Sequence, residues 1–262
     1  MILIRKFGEG LCYLELNRPE KRNALNRQML LELITFLDIH AESTQFRVLV
    51  ISGTEGFFSA GADLEWMKQA SEQTYKENLD DARLFSDFYS KLLNFPKPVI
   101  VRVDKGAFGG ALGIMACADL VVTSPDAAFA FSEVTLGLIP ATVAPYILQK
   151  TGLSAARYLM MSATMFSGTE ALHYNLAHIL APSDKLGIKT REIALSIAKN
   201  SPNALKETKK LLNSLASSVV CMDKEVERLC NDLIAKARTS PDGQEGVMAF
   251  FEKRKPNWNE II

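Results

Sequence analysis

Hydrophobic and polar positions along this chain predict most of its elements before any chemistry is considered. Residues 2–7 (ILIRKF) and 11–16 (LCYLEL) are short runs rich in strand-forming side chains. Gly8, Glu9 and Gly10 separate them, which predicts a β-hairpin. Asn17, Arg18 and Pro19 then break the strand. Residues 27–39 (RQMLLELITFLDI) carry apolar side chains at helical spacing. RVLVISG, 47–53, is an apolar run closed by a glycine, the pattern of a buried strand. FFSAGADLEWM, 57–67, reads as a loop that enters a helix at about 62–64, and 72–93 as a long amphipathic helix. That helix has to stop before Phe95, Pro96, Lys97 and Pro98. VIVRV, 99–103, is a second buried strand, and the helix after it starts near Gly109 or Gly110. Residues 119–124 (DLVVTS) and 127–132 (AAFAFS) add two short strands.

Strands alternating with helices predict an α/β fold with a largely parallel sheet. Beyond about residue 140 the strand pattern fades to one apolar piece at 176–181, and the rest reads as successive helices. No Pro/Gly/Ser-rich linker, repeat or low-complexity stretch divides the chain. The expected organisation is an α/β core over residues 1–195 with a helical lobe over residues 196–262.

Composition narrows the classes. The 262 residues hold 30 Lys and Arg against 30 Asp and Glu, so no net charge draws the chain to nucleic acid or an anionic membrane. No CxxC pair joins Cys12, Cys117, Cys221 and Cys230, which fits reduced thiols. Only a few apolar residues precede Arg5 and Lys6, too few for the apolar region of a signal peptide. No run approaches the ~18 apolar residues of a spanning helix. The expected location is the cytoplasm, with no membrane partner.

Two segments share a design: a strand, then small residues, then a helix start. They are VLVISG followed by FFSAGADL, and VIVRVDKGAFGGALG. The first amides of a helix have no intrahelical acceptor. Two such amides aimed at one point form an oxyanion hole. Glycine and alanine also serve close helix–strand packing, so the pattern alone leaves both uses open. A phosphate cradle is disfavoured, because GxxxxGK[ST] is absent and no GxGxxG follows a strand in a βαβ setting. The acid–base candidate is Glu133 in FAFSEVTLGLIP, a carboxylate with apolar neighbours. A solvent-facing strand-end glutamate would show the same pattern. His40, His173 and His178 lie in no nucleophile motif, and no cluster has metal-ligand spacing.

Several segments together resemble one family. LNRPEKRNALN (16–26), FFSAGADLEWM (57–67), FGGALGIMACADL (108–120), FSEVTLGLIP (131–140) and EGVMAFFEKRKPNW (245–258) are similar, in order, to the enoyl-CoA hydratase/isomerase (crotonase) superfamily. The resemblance implies a ClpP-like crotonase spiral of ββα turns with a C-terminal helical trimerisation region. It implies an acyl-CoA thioester as substrate and a homotrimer or a hexamer of paired trimers. CoA enters as part of the substrate, and no metal, flavin or nicotinamide is expected. By match, the thioester carbonyl would be held by the amides of Ala62 and Gly110, beside Gly109. The parts that would hold CoA are Lys21, Asn23, Ala24 and Leu25, and the loop through Ala60, Gly61, Asp63 and Leu64. Phe250 and Lys253 match a C-terminal segment that in some members reaches the CoA of a neighbouring subunit.

The chain departs from the family at one position. Two-carboxylate hydratases carry a glutamate in the helix after the glycines and another at the match of Glu133. Here the first is Gly113. One carboxylate permits syn hydration, with Glu133 taking a proton from water and returning it to C2. It equally permits a Δ3-Δ2 isomerase that shuttles a proton between C2 and C4. The run 108–147 is similar to hydratases of branched or carboxylated substrates, the methylglutaconyl-CoA and carboxygeranoyl-CoA enzymes of leucine and isoprenoid catabolism. That branch favours hydration. Thr142, after Pro140, is a candidate to hold water in place of the missing carboxylate. No basic residue lies between Lys105 and Lys150, which instead suits a neutral acyl pocket of Trp66, Met67, Phe131, Leu138 and Tyr146. A non-catalytic or RNA-binding member is the further alternative. Against RNA, the helix at 27–39 has a single basic residue.

Overall fold

The predicted hairpin forms from β1 (Leu3–Gly8) and β2 (Leu11–Leu16), paired antiparallel. The computed structural model describes residues 3–70, 72–217, 241, 245, 249 and 252–257. β2 then pairs parallel with β3 (Val48–Gly53), and β3 with β4 (Val99–Val103). β5 (Gly106–Phe108) leaves this layer for a second sheet. β6 (Leu120–Thr123) returns beside β4. β7 (Ala128–Ala130) pairs parallel with β5, and β8 (Phe166–Ser167) antiparallel with β7. β9 (Ile179–Leu180) closes the main sheet beside β6, giving the order β1-β2-β3-β4-β6-β9.

The helices are α1 (Arg27–His40), α2 (Leu64–Ala70), α3 (Tyr75–Leu93) and α4 (Gly110–Cys117). They are followed by α5 (Ala144–Ser162), α6 (Gly168–His173), α7 (Leu186–Ala198) and α8 (Pro202–Ser217). Local chemistry fixes several starts. The Asn26 side chain accepts the Met29 amide at 2.9 Å and caps α1. Thr74 and Glu77 form a reciprocal capping box on α3. α5 changes direction at Gly152, whose φ of 77° interrupts the helix.

The sheet is covered on both faces, as a parallel sheet requires. Successive strand side chains point to opposite faces. Leu49 and Ile51 therefore join the large core that also contains Leu33, Phe36, Phe88 and Met115, from α1, α3 and α4. Val48, Val50, Ile100 and Val122 face the other way, against Leu186, Ala194 and Ala198 of α7. Every residue of β3 is buried.

Three expectations change in detail. The strand read at 127–132 ends at Ala130 and belongs to the second sheet. β8 is too short to leave an alternating pattern. The expected boundary between Leu195 and Ser196 falls inside α7, which packs on the main sheet. Most of residues 218–262, including Phe250, lie outside the described residues, and with them the expected trimerisation region.

Leu186 is fully buried where α7 meets the sheet. Leu186→Ala is expected to lower stability by about 2–5 kcal/mol. Chemical denaturation followed by circular dichroism reads this loss as a lower midpoint.

Candidate active site

The parallel strands β3 and β4 send their following segments off the same edge of the sheet. After β3 the chain turns through residues 54–58 and runs between two backbones. On one side Phe108 N–H donates to Ser59 O at 3.2 Å. On the other, Leu25 N–H donates to Gly61 O at 2.7 Å, and Asp63 N–H to Leu25 O at 2.9 Å. The Gly61 carbonyl is thus held, and the amide of Ala62 in the same peptide plane is aimed away from it. Among the described residues that amide has no acceptor.

Gly109 and Gly110 repeat the design. Gly109 N–H donates to Ala130 O at 3.0 Å, and Gly109 O accepts from Leu112 N–H at 3.0 Å. Gly110 opens α4, so its amide has no intrahelical acceptor, and none is present among the described residues. Gly61, at φ +87°, brings the two segments together. A Cβ there would lie 2.5 Å from Phe108 O and 3.7 Å from Gly109 Cα. The pair of open amides at Ala62 and Gly110 therefore sits on two backbones in direct contact.

Glu133 follows β7 and opens a 3-10 turn over Glu133–Leu136. Its Oε1 would stand 3.3 Å from a Cβ built on Gly109, so the carboxylate lies against the same glycine segment. Oε2 is buried with no hydrogen-bond partner among the described residues. Burial pushes this carboxyl above the usual carboxylate range, and a hydrogen bond from its own backbone N–H pulls only partly back. Ala62, Gly110 and Glu133, singled out on three separate segments, converge.

The other matched residues divide into supports and surface. Asn23 is fully buried. Its side chain accepts Arg18 N–H at 2.8 Å and donates to Thr54 O at 3.1 Å and Phe57 O at 2.7 Å. With the Thr54 hydroxyl also 3.4 Å from its Oδ1, the amide is engaged within the protein and ties the residue 18–25 turn to the loop after β3. Asp63 is buried too, with Arg18 Nη2 2.7 Å from its Oδ2, while Oδ1 accepts Glu65 N–H at 2.8 Å. Burial pushes its carboxyl up, but Arg18 and the amides of Glu65 and Trp66 outweigh that and hold it below the usual range. Ala24 and Leu25 are buried along the Ala62 segment, and Ala60 is half-buried, its N–H donating to Arg22 O at 2.9 Å. Lys21 is exposed and pairs with Glu65 at 2.9 Å, near Leu64, which is 78% exposed. Pro140 and Thr142 are half-buried ahead of α5. Lys253 is exposed.

The neutral pocket read from the sequence needs one correction. Phe131 is fully buried and packs on Phe166, so it belongs to the core and not to a wall. Trp66 stacks on Phe85 at 5.3 Å and donates to Asp81 at 2.8 Å. Lys150, the first basic residue after the glycines, donates to Ala118 O at 2.6 Å.

Two residues at this site escaped sequence reasoning. Arg18 lies in the LNRPEK turn, where its charge gave no hint of a buried partner. Tyr89 lies on α3 and donates its hydroxyl to Gly110 O at 2.6 Å. A Cβ on Gly113 would stand 2.7 Å from Cε1 and Cζ of its ring and 2.7 Å from Cγ1 of Val143. The space open to a side chain at position 113 is therefore already filled.

Comparison with known proteins identifies the family. The family model described as "Enoyl-CoA hydratase/isomerase" matches residues 6–261. A crystal structure of an enoyl-CoA hydratase from Shewanella pealeana is 36% identical and superposes with a TM-score of 0.94, over 98% of this chain and 96% of that one. A 2,3-dehydroadipyl-CoA hydratase of Escherichia coli is 32% identical over 257 residues, 98% of each chain. A trans-2-decenoyl-[acyl-carrier-protein] isomerase of Streptococcus mutans is 28% identical over 98% of this chain and 97% of its own. No described helix is long and apolar enough to cross a membrane.

Two outcomes test the geometry. Gly61→Ala is expected to cost at least about 1–3 kcal/mol, because it combines a positive φ with a backbone clash. Thermal melting checks the loss. Glu133→Gln is expected to raise stability at neutral pH. A carboxyl whose folded pKa is raised penalises the fold only as it ionises, so the penalty is absent below its unfolded value of about 4.3. It grows as pH rises through the folded value. Melts of both proteins across pH should converge at acid pH and separate as pH rises.

Proposed function

The chain belongs to the enoyl-CoA hydratase/isomerase family, and from that membership we propose that it adds water across the 2,3 double bond of an enoyl-CoA thioester. The observation that carries the proposal is the convergence of the Glu133 carboxylate, whose Oε2 has no partner among the described residues, on the two open amides of Ala62 and Gly110. The thioester oxygen accepts from both amides. Glu133 takes a proton from water as its oxygen bonds to C3, and negative charge moves to the thioester oxygen as an enolate. The protonated Glu133 then delivers that proton to C2 on the same face, which gives syn addition. A hole of this kind is worth about 10²–10³ in rate per donor in other enzymes. All proton transfer runs through Glu133 and water, and Thr142 is a candidate second partner for that water.

CoA would extend along residues 21–25 and 60–64, where exposed Lys21 and Leu64 offer a charge and an apolar surface. Phe250 and Lys253 are proposed as contacts from a neighbouring copy in a trimer or hexamer. Apolar side chains exposed at Leu138, Ile139, Met161 and Met165 support such assembly. For the acyl group, similarity to a dehydroadipyl-CoA hydratase supports a chain bearing a second carboxylate, in keeping with the methylglutaconyl- and carboxygeranoyl-type branch. The engagement of Lys150 by Ala118 O favours an apolar chain instead.

The second reading is a Δ3-Δ2 isomerase, favoured by the same single carboxylate. Crotonyl-CoA and a 3-enoyl-CoA, assayed in parallel on wild type and Glu133→Ala, separate the two. Hydration appears as loss of the conjugated thioester band from crotonyl-CoA and should fall at least about 10³-fold without Glu133. Gain of that band from the 3-enoyl substrate, with crotonyl-CoA inert, makes the protein an isomerase. Because Glu133 acts first as base, kcat/KM should fall with decreasing pH through a value above the ordinary carboxylate range. Glu133→Gln should abolish that limb.

A further inference from the structure

We propose that Tyr89 is the positioning residue of this site: its hydroxyl holds the Gly110 carbonyl, fixing the far side of the residue that carries the Gly110 amide, and its ring takes the volume that a side chain at position 113 would need. The proposal rests on the hydratase reading above and deepens it. Gly109 and Gly110 are consecutive glycines, so nothing in their own side chains fixes the backbone that carries the Gly110 amide. External contacts must do so. The peptide that carries the Gly110 amide is held at its Gly109 carbonyl by Leu112 N–H, and Ala130 O holds Gly109 N–H one peptide earlier. The peptide after it is held by Tyr89, at 2.6 Å. The same α3 face forms the wall behind Gly110, where a Cβ would meet Tyr89 Oη at 3.1 Å and Phe85 Cε1 at 3.5 Å.

The phenol is committed to donating. Burial, together with Cys117, Glu133 and Tyr146 nearby, pushes its pKa well above the ordinary value, so it stays protonated at neutral pH. Tyr89 therefore acts on the amide without taking part in proton transfer. Its ring is also fully buried and packs on Phe85, Phe88 and Tyr146, which leaves it little freedom to withdraw. In this arrangement an aromatic residue on a neighbouring helix occupies the place of a second acidic side chain and stabilises the oxyanion donor instead.

Tyr89→Phe tests the hydroxyl while keeping the ring. Steady-state hydration should show kcat lowered about 10- to 100-fold, the scale for a misplaced catalytic group, with KM changed less than about twofold. Bound cinnamoyl-CoA supplies a readout that packing alone does not move. Polarisation of its thioester carbonyl shifts its absorption to longer wavelength, and that shift should shrink in Tyr89→Phe. Gly113→Ala is the second variant. It displaces the Tyr89 ring while keeping the hydroxyl group itself, and should reduce the same shift. An unchanged shift and unchanged kcat in Tyr89→Phe would overturn the positioning role while leaving the hydratase reading intact. A wild-type protein that neither shifts cinnamoyl-CoA nor hydrates any enoyl-CoA would overturn that reading, and the positioning role with it.

Discussion

The contact between the Gly61 backbone and the Phe108 carbonyl is the constraint on which the site depends. It brings together two segments from different strands, each with an amide that has no acceptor among the described residues. Only a residue without a Cβ, in the left-handed region, permits that approach at position 61. The rest of the local structure holds the two segments there. Asn23 ties the turn after the hairpin to the loop after β3, and Arg18 with Asp63 anchors the start of α2. Ser59 and Ala107 bridge the loop to β5. These polar contacts are at least partly buried, so each is sheltered from water and loss of either partner leaves a group poorly satisfied.

The sheet explains why the segments meet at all. β3 and β4 are parallel neighbours, and crevices beyond the carboxyl ends of parallel strands are the usual ligand sites of such folds. β5 and β7 then carry the chain away from the main sheet, so that Gly109 and Glu133 emerge from paired strands. α7 covers the far face, away from the chemistry, and keeps β3 buried on both sides.

Much of this was legible in the sequence, and the parts that were not share a cause. The hairpin, β3, β4 and the helices α1 and α3 have strong periodicity or strong punctuation. Ala62, Gly110 and Glu133 stand at strand ends among small or apolar residues, a pattern with chemical meaning. Tyr89 has no such signal: on the buried face of an amphipathic helix a tyrosine looks like any core aromatic. Asn23 matched a binding segment, yet its amide is used entirely within the protein. Phe131 suits a pocket wall on sequence because an apolar residue near the candidate carboxylate can face either way. β8 pairs over two residues, and its existence depends on β7 and not on its own sequence. Long-range partners decide all of these, and one chain read in order does not display them.

The interlock of Tyr89 with Gly113 also bears on how this chain can change over generations. A second glutamate at position 113 meets an occupied site, so that substitution alone is blocked by its neighbour. Shrinking Tyr89 first removes the hydroxyl from Gly110 and opens a buried void, a change of ~3–5 kcal/mol for a large aromatic. Either order of steps passes through a compromised ancestor. The one-carboxylate and two-carboxylate forms are thus separated by more than one substitution, since Val143 crowds position 113 as closely as Tyr89 does.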